Sequence, residues 1–155
     1  MKKIIIAIDS FKGCLTSAEA GKAAEKGIKS INPSCHTSVI PIADGGEGLL
    51  DVLITATKGK YITLSAHGPL MKMAKTHYGL SGNGRTAIIE MAAISGLPLV
   101  PIEQRNPMLT TTFGTGELIK DALNKGCRNF IIGIGGSATN DAGLGMLQAL
   151  GFRFL

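Results

Sequence analysis

The sequence predicts an α/β protein: a parallel sheet with flanking helices, joined to a small antiparallel excursion. Three observations carry this expectation. Short apolar runs of buried-strand character are followed by stretches of helical spacing near both ends of the chain. Glycine-rich turns join the runs, and in the middle several strand-like runs follow one another with no helix between them. With 155 residues, 45% of them hydrophobic, the chain is long enough for a core and too apolar for disorder.

Taken in order, Lys3 to Asp9 is branched and apolar and ends on a carboxylate, as a buried parallel strand does. Thr16 or Ser17 then caps a helix running from Ser17 to Ile31, which Asn32 and Pro33 stop. Thr37 to Ile42 is a second strand, and Ala43-Asp-Gly-Gly-Glu-Gly48 leads into a helix over 47–57. Two strand–turn–helix units in succession imply parallel pairing of the Rossmann or flavodoxin-like kind, with ligands at the carboxyl ends of the strands. Asp9, Lys12 and Asp44 fall there.

The middle reads as strands at 60–66, 72–79 and 85–91, the last two joined by the hairpin-like turn Leu80-Ser-Gly-Asn-Gly84. A short helix over 91–95 ends at Gly96 and Pro98. Parallel logic resumes with a helix over 116–124, a strand over 129–134 and a helix over 142–150. The expected organisation is therefore a parallel α/β segment at 1–59, an antiparallel excursion at 60–106 that forms part of a second lobe, and a strand, glycine loop and helix at 107–155. Gly151 to Leu155 resembles the first half of another strand, as in an incomplete piece of a two-domain fold.

Composition narrows the function. The net charge of +5 favours anionic ligands, but the basic residues are scattered and aromatics make up only 5%, which argues against a nucleic-acid binder. Cys14, Cys35 and Cys127 are odd in number and form no metal-ligand spacing, and His36, His67 and His77 show no zinc pattern. A reducing, cytoplasmic setting follows, with neither a signal peptide nor a membrane span expected. His67 and His77 read as surface or turn residues.

The chemistry concentrates in polar, glycine-bearing turns at 9–13, 44–48 and 133–141, with a fourth helix-initiating turn at 114–117. Glycines let backbone N–H groups approach an oxyanion, and helix starts favour negative charge. Asn140 and Asp141 suit a magnesium ion through their oxygens, or equally an N-cap, and spacing does not choose between the two. Asp9 and Asp44 carry the same pair of readings. Glu90 lies in the apolar run 87–92, where an unpaired carboxylate is costly, so it faces solvent at a strand end or is held by a partner. No Gly-x4-Gly-Lys-Ser/Thr loop and no Gly-x-Ser-x-Gly elbow occurs. Gly133-x-Gly135-x-x-Ala138 matches a relaxed dinucleotide fingerprint, whose acidic ribose ligand falls beyond Leu155. A dehydrogenase-like domain and a non-catalytic fragment that pairs through an open sheet edge thus stand as alternatives.

Six segments together resemble the bacterial type of glycerate kinase: Asp9-Ser-Phe-Lys-Gly13, Ile42-Ala-Asp-Gly-Gly-Glu-Gly48, His67-Gly-Pro-Leu70, Thr86 to Ala92 with Ser95-Gly-Leu97, Thr111 to Ile119, and Ile132 to Asp141. They occur in the family's order over nearly the whole chain. The resemblance implies a two-domain α/β kinase that phosphorylates D-glycerate with ATP and Mg2+, usually to 2-phosphoglycerate, in a chain more than twice this long. Carried onto this sequence, it makes Lys12, Asp44 and Asp141 the catalytic candidates, with Asp141 also the metal ligand. Gly135, Gly136, Ser137, Thr139 and Asn140 become the nucleotide-binding set. Ser10, Gly45, Gly46, Glu47, Glu90 and Thr115 become the substrate-binding set. The partners implied are glycerate and ATP, together with a further copy or the remainder of a longer chain.

Overall fold

The computed structural model describes residues 3–154. The chain forms two compact units, Met1–Asp44 and Gly45–Leu155.

In the first unit, β1 (Lys3–Ile8) pairs in parallel with β2 (His36–Pro41), Ile6 opposite Val39. Between them runs α1 (Ser17–Ile31). Thr16 caps it through the Glu19 amide while the Glu19 carboxylate returns to the Thr16 amide, a reciprocal cap that fixes the first turn. Gly21 brings α1 close to the sheet: a Cβ there would stand 2.4 Å from Val39 Cγ1. Ser17 donates to the Ile8 carbonyl at 2.7 Å and accepts the Ile42 amide at 3.0 Å, so one hydroxyl joins the carboxyl ends of both strands. The loop Phe11 to Leu15 closes on itself between β1 and α1 and carries Lys12 exposed at its tip.

The second unit opens with α2 (Leu49–Thr57) and contains a four-stranded sheet ordered β3-β4-β5-β6. β3 (Lys60–His67), β4 (Met73–Leu80) and β5 (Thr86–Glu90) are successively antiparallel, and β6 (Asn129–Gly133) lies parallel to β5. Asn83 shapes the turn between β4 and β5, its side-chain oxygen accepting the Ser81 hydroxyl and the Arg85 and Thr86 amides. The expected classes of pairing are all present, but the parallel pairs are divided between two sheets. The strand at 129–133 extends the antiparallel excursion.

Alternation along β5 sorts the core. Ala87 and Ile89 join Tyr78, Leu118, Ala122 and Cys127 on the face covered by α3 (Ala92–Ser95) and α4 (Phe113–Asn124). Ile88 packs with Leu50 and Ile54 of α2 on the other face. α5 (Leu144–Ala149) lies against α4, where Gly116 allows the approach: a Cβ on it would stand 2.3 Å from the Met146 carbonyl oxygen.

Two expected helix starts shift for one reason. α2 begins at Leu49 because Gly48 has φ +92°, and α5 begins at Leu144 because Ala142 and Gly143 are left-handed at φ +53° and +77°. Residues 152–154 form no strand, and Phe152 and Phe154 are exposed. Among the described residues no helix is long and apolar enough to cross a membrane.

Candidate functional site

The glycine turns of the second unit pack backbone against backbone. The Gly135 amide donates to the Gly45 carbonyl at 3.1 Å. A Cβ on Gly135 would stand 2.6 Å from Gly46 Cα, and one on Gly133 would stand 2.5 Å from the Gly45 oxygen. Glycine at these positions is thus a requirement of close approach between two turns distant in sequence. It also spends the Gly135 N–H, which the sequence reading offers to phosphate. Among the described residues the amides of Gly136 and Ser137 have no protein acceptor, and Gly136 turns the chain there with φ +73°.

Beyond the turn the chain is held by the Gly96–Ser137 bridge, in which the Leu97 amide donates to Gly136 and the Ala138 amide to Ser95. Ser137 Oγ lies 2.8 Å from Thr139 Oγ1 and accepts the Thr139 amide at 2.9 Å. Beside this segment lies a hollow of about 240 Å³. Leu97, Val100, Pro107 and Ala138 give it an apolar wall. Ser137, Thr139, Thr110, Asn106 and Arg105 give it a polar one. Thr110 is 5% exposed and donates to the Ala138 carbonyl at 2.7 Å, fixing the segment after Pro107 to the glycine turn. Arg105 Nε donates to the Val100 carbonyl at 3.3 Å.

The helix starts tell a different story from the one expected. Glu90, at the end of β5 on the face that carries Ile88, accepts the Gly48 amide at 3.1 Å and the Leu50 amide at 3.3 Å. It is the cap that α2 lacks locally. Burial pushes its carboxyl above the ordinary range, and those two amides offset the shift only in part. Asp141 does the same for two helices. Its Oδ2 accepts the Thr112 amide and hydroxyl, the Thr111 hydroxyl and the Gly145 amide, and its Oδ1 accepts the Gly143 amide. Burial works to raise this carboxyl, but the Thr112, Gly143 and Gly145 bonds outweigh it and hold it below the usual range. The starts of α2, α4 and α5, expected to be open to an external oxyanion, are occupied by the chain's own carboxylates.

These bonds bear on the metal as well. Four of the donors converge on Asp141 Oδ2, while Oδ1 meets the Gly143 amide alone. Among the described residues no three His, Cys, Asp or Glu side chains gather as metal ligands do.

The other expected residues are placed as follows. Thr115 is 1% exposed inside α4, its hydroxyl 2.9 Å from that of Ser95, so it faces the core and no cleft. Asn140 and Glu47 are exposed. In the first unit, Asp9 accepts the Ser10 amide at 2.6 Å, and Lys12 and Asp44 are exposed. His67, read as a turn residue, ends β3 with its amide on Glu117 at 2.7 Å and its Nδ1 3.0 Å from the same carboxylate. Sequence reasoning missed Arg105 and Asn106, which sit in an irregular stretch between prolines where no periodicity marks a site.

The comparisons agree with this architecture. The model of the glycerate kinase family matches residues 4–155. The chain is 57% identical over 153 residues to a glycerate kinase of Haemophilus influenzae, covering 99% of this chain and 40% of that protein. It is 53% identical over 151 residues to the glycerate 2-kinase of Escherichia coli, covering 97% and 40%. A crystal structure described as glycerate kinase 2 of Salmonella typhimurium superposes with a TM-score of 0.83 at 51% identity, covering 97% of this chain and 40% of that one. The chain thus spans about 40% of the length of the curated relatives it matches. With a family model spanning nearly every residue and the same fold in a solved relative, the chain belongs to the glycerate kinase family.

Proposed function

We propose that the full-length protein carrying this chain transfers the γ-phosphoryl group of ATP to the 2-hydroxyl of D-glycerate. The observation that carries this reading is the double position of Ser137. It belongs to the glycine turn whose Gly136 and Ser137 amides lack protein acceptors, and it also lines the hollow. A phosphoryl group bound at the turn then borders an acceptor held in the hollow, the juxtaposition that phosphoryl transfer requires. The names of the Haemophilus and Escherichia relatives support the acceptor and the 2-position.

In the step, the glycerate 2-hydroxyl oxygen forms a bond to the γ-phosphorus as the bond to the β,γ-bridging oxygen breaks. ADP leaves with that electron pair, and the hydroxyl proton passes to a carboxylate. Gly136 and Ser137 donate to the phosphoryl oxygens, and Thr139 orients the Ser137 hydroxyl. Lys12 and Asp44, each on a loop after a parallel strand of the first unit, are carried from the family resemblance as candidate catalytic residues. Asp141 and Glu90 act by position: the one fixes the starts of α4 and α5, the other that of α2. A magnesium ion bound with the triphosphate would supply charge neutralisation at the phosphoryl oxygens. Cys14, Cys35 and Cys127, odd in number and without metal-ligand spacing, suit a reducing, cytoplasmic setting.

A coupled assay for ADP release, with the product identified by phosphorus NMR, tests the proposal. Glycerate-dependent ADP release with 2-phosphoglycerate as product is expected, and release no faster than without glycerate defeats it. Protection against thermal unfolding by NAD in place of ATP supports the dehydrogenase-like reading instead.

A further inference from the structure

We infer that Arg105 is the residue that recognises the acid in the hollow, by pairing its guanidinium with the substrate's carboxylate. The inference rests on the kinase reading above and adds a recognition residue to it. Among the residues lining the hollow Arg105 is the one that carries a charge, and no carboxylate faces it there. The hollow is therefore matched to a small anion. The guanidinium is oriented as well as charged: Nε is held on the Val100 carbonyl, and among the described residues the two terminal nitrogens have no protein partner. Two parallel N–H groups on a fixed plane match the two oxygens of a carboxylate.

Elimination points the same way. The starts of α2 and α4 are filled by Glu90 and Asp141, and in the kinase reading the Gly136 and Ser137 amides go to the phosphoryl group. Size separates the two anionic substrates. A hollow of about 240 Å³ falls below the roughly 300 Å³ at which pockets for drug-sized ligands begin. It holds a three-carbon acid and not a nucleoside triphosphate. With the carboxylate on Arg105, the hydroxyl end of the acid is left to Ser137 and Thr139, on the side of the glycine turn.

The test uses the full-length protein with Arg105→Gln and Arg105→Lys. Both side chains replace an exposed residue, so melting curves superimposable on wild type are expected. Loss of a charge-assisted pair predicts a rise in KM for D-glycerate of about 10- to 100-fold in Arg105→Gln, with KM for ATP nearly unchanged. Arg105→Lys recovers part of the loss, because it restores charge without the planar fork. Wild type discriminates D-glycerate from its neutral carboxamide, and Arg105→Gln loses that preference. An unchanged KM for glycerate overturns the assignment, as does a rise confined to KM for ATP, which makes the bound anion a phosphate. Should wild type not phosphorylate glycerate, the kinase reading fails separately. Thermal shifts with glycolate and lactate then decide: a shift in wild type absent from Arg105→Gln sustains the carboxylate site, and equal or no shifts in both overturn it.

Discussion

The Asp141 carboxylate accepts the amide and the hydroxyl of Thr112, both at 2.8 Å, and so ties the start of α5 to the start of α4. Removing that tie unpairs amides of both helices. Asp141→Ala is expected to cost about 2–4 kcal/mol, read by urea unfolding, with Asp141→Asn costing less.

The same carboxylate sets an acid limb. Its folded value lies below the unfolded 3.8, so the stabilisation is complete above 3.8 and is lost as pH falls through the lower folded value. The melting temperature of wild type should fall over that window. Asp141→Asn, with nothing to titrate there, should fall less.

Glu90 has the opposite sign. Burial holds its folded value above the unfolded 4.5, so the folded state binds this proton more readily and stability declines as pH rises through the raised value. Glu90→Gln keeps an acceptor for the Gly48 and Leu50 amides without the buried charge. It should match or exceed wild-type stability at neutral pH, whereas Glu90→Ala should lose about 1–2 kcal/mol as a missing helix cap. Urea melts on both sides of pH 4.5 separate the two variants.

Thr110→Val keeps the shape of the hollow's floor and deletes its bond to the Ala138 carbonyl. Losing this part-buried bond should cost about 1 kcal/mol. The segment carrying Arg105 and Asn106 then loses its anchor to the glycine turn, so KM for glycerate should rise several-fold while kcat changes little.

Local physics explains which parts of this fold could be read from the sequence. The strands showed because period-two and continuous apolar runs are local signals, as in Thr86 to Glu90 and Asn129 to Gly133. Which strands would pair did not show, because β5 and β6 meet across an intervening pair of helices. The expected helix starts at 47 and 142 fall two residues early, since a left-handed φ at Gly48 and Gly143 leaves no mark on composition. The glycine turn at Gly133 to Ser137 was legible as a close-approach element. The consumption of its Gly135 amide by Gly45 was not, nor was the capture of two helix starts by Glu90 and Asp141, because each depends on a partner far along the chain. Arg105 was invisible for the same reason: its role comes from what surrounds it.

The contact of Gly135 with Gly46 has a genetic corollary. The turn at Gly135 cannot accept a methyl group while the other stays put, since a Cβ on Gly135 would stand 2.6 Å from Gly46 Cα and 2.9 Å from its nitrogen. Alanine at Gly135 should cost about 3 kcal/mol or more, and that cost should change with the residue that stands at position 46. The two motifs would then show strong epistasis, drifting or persisting through descent as a single heritable unit.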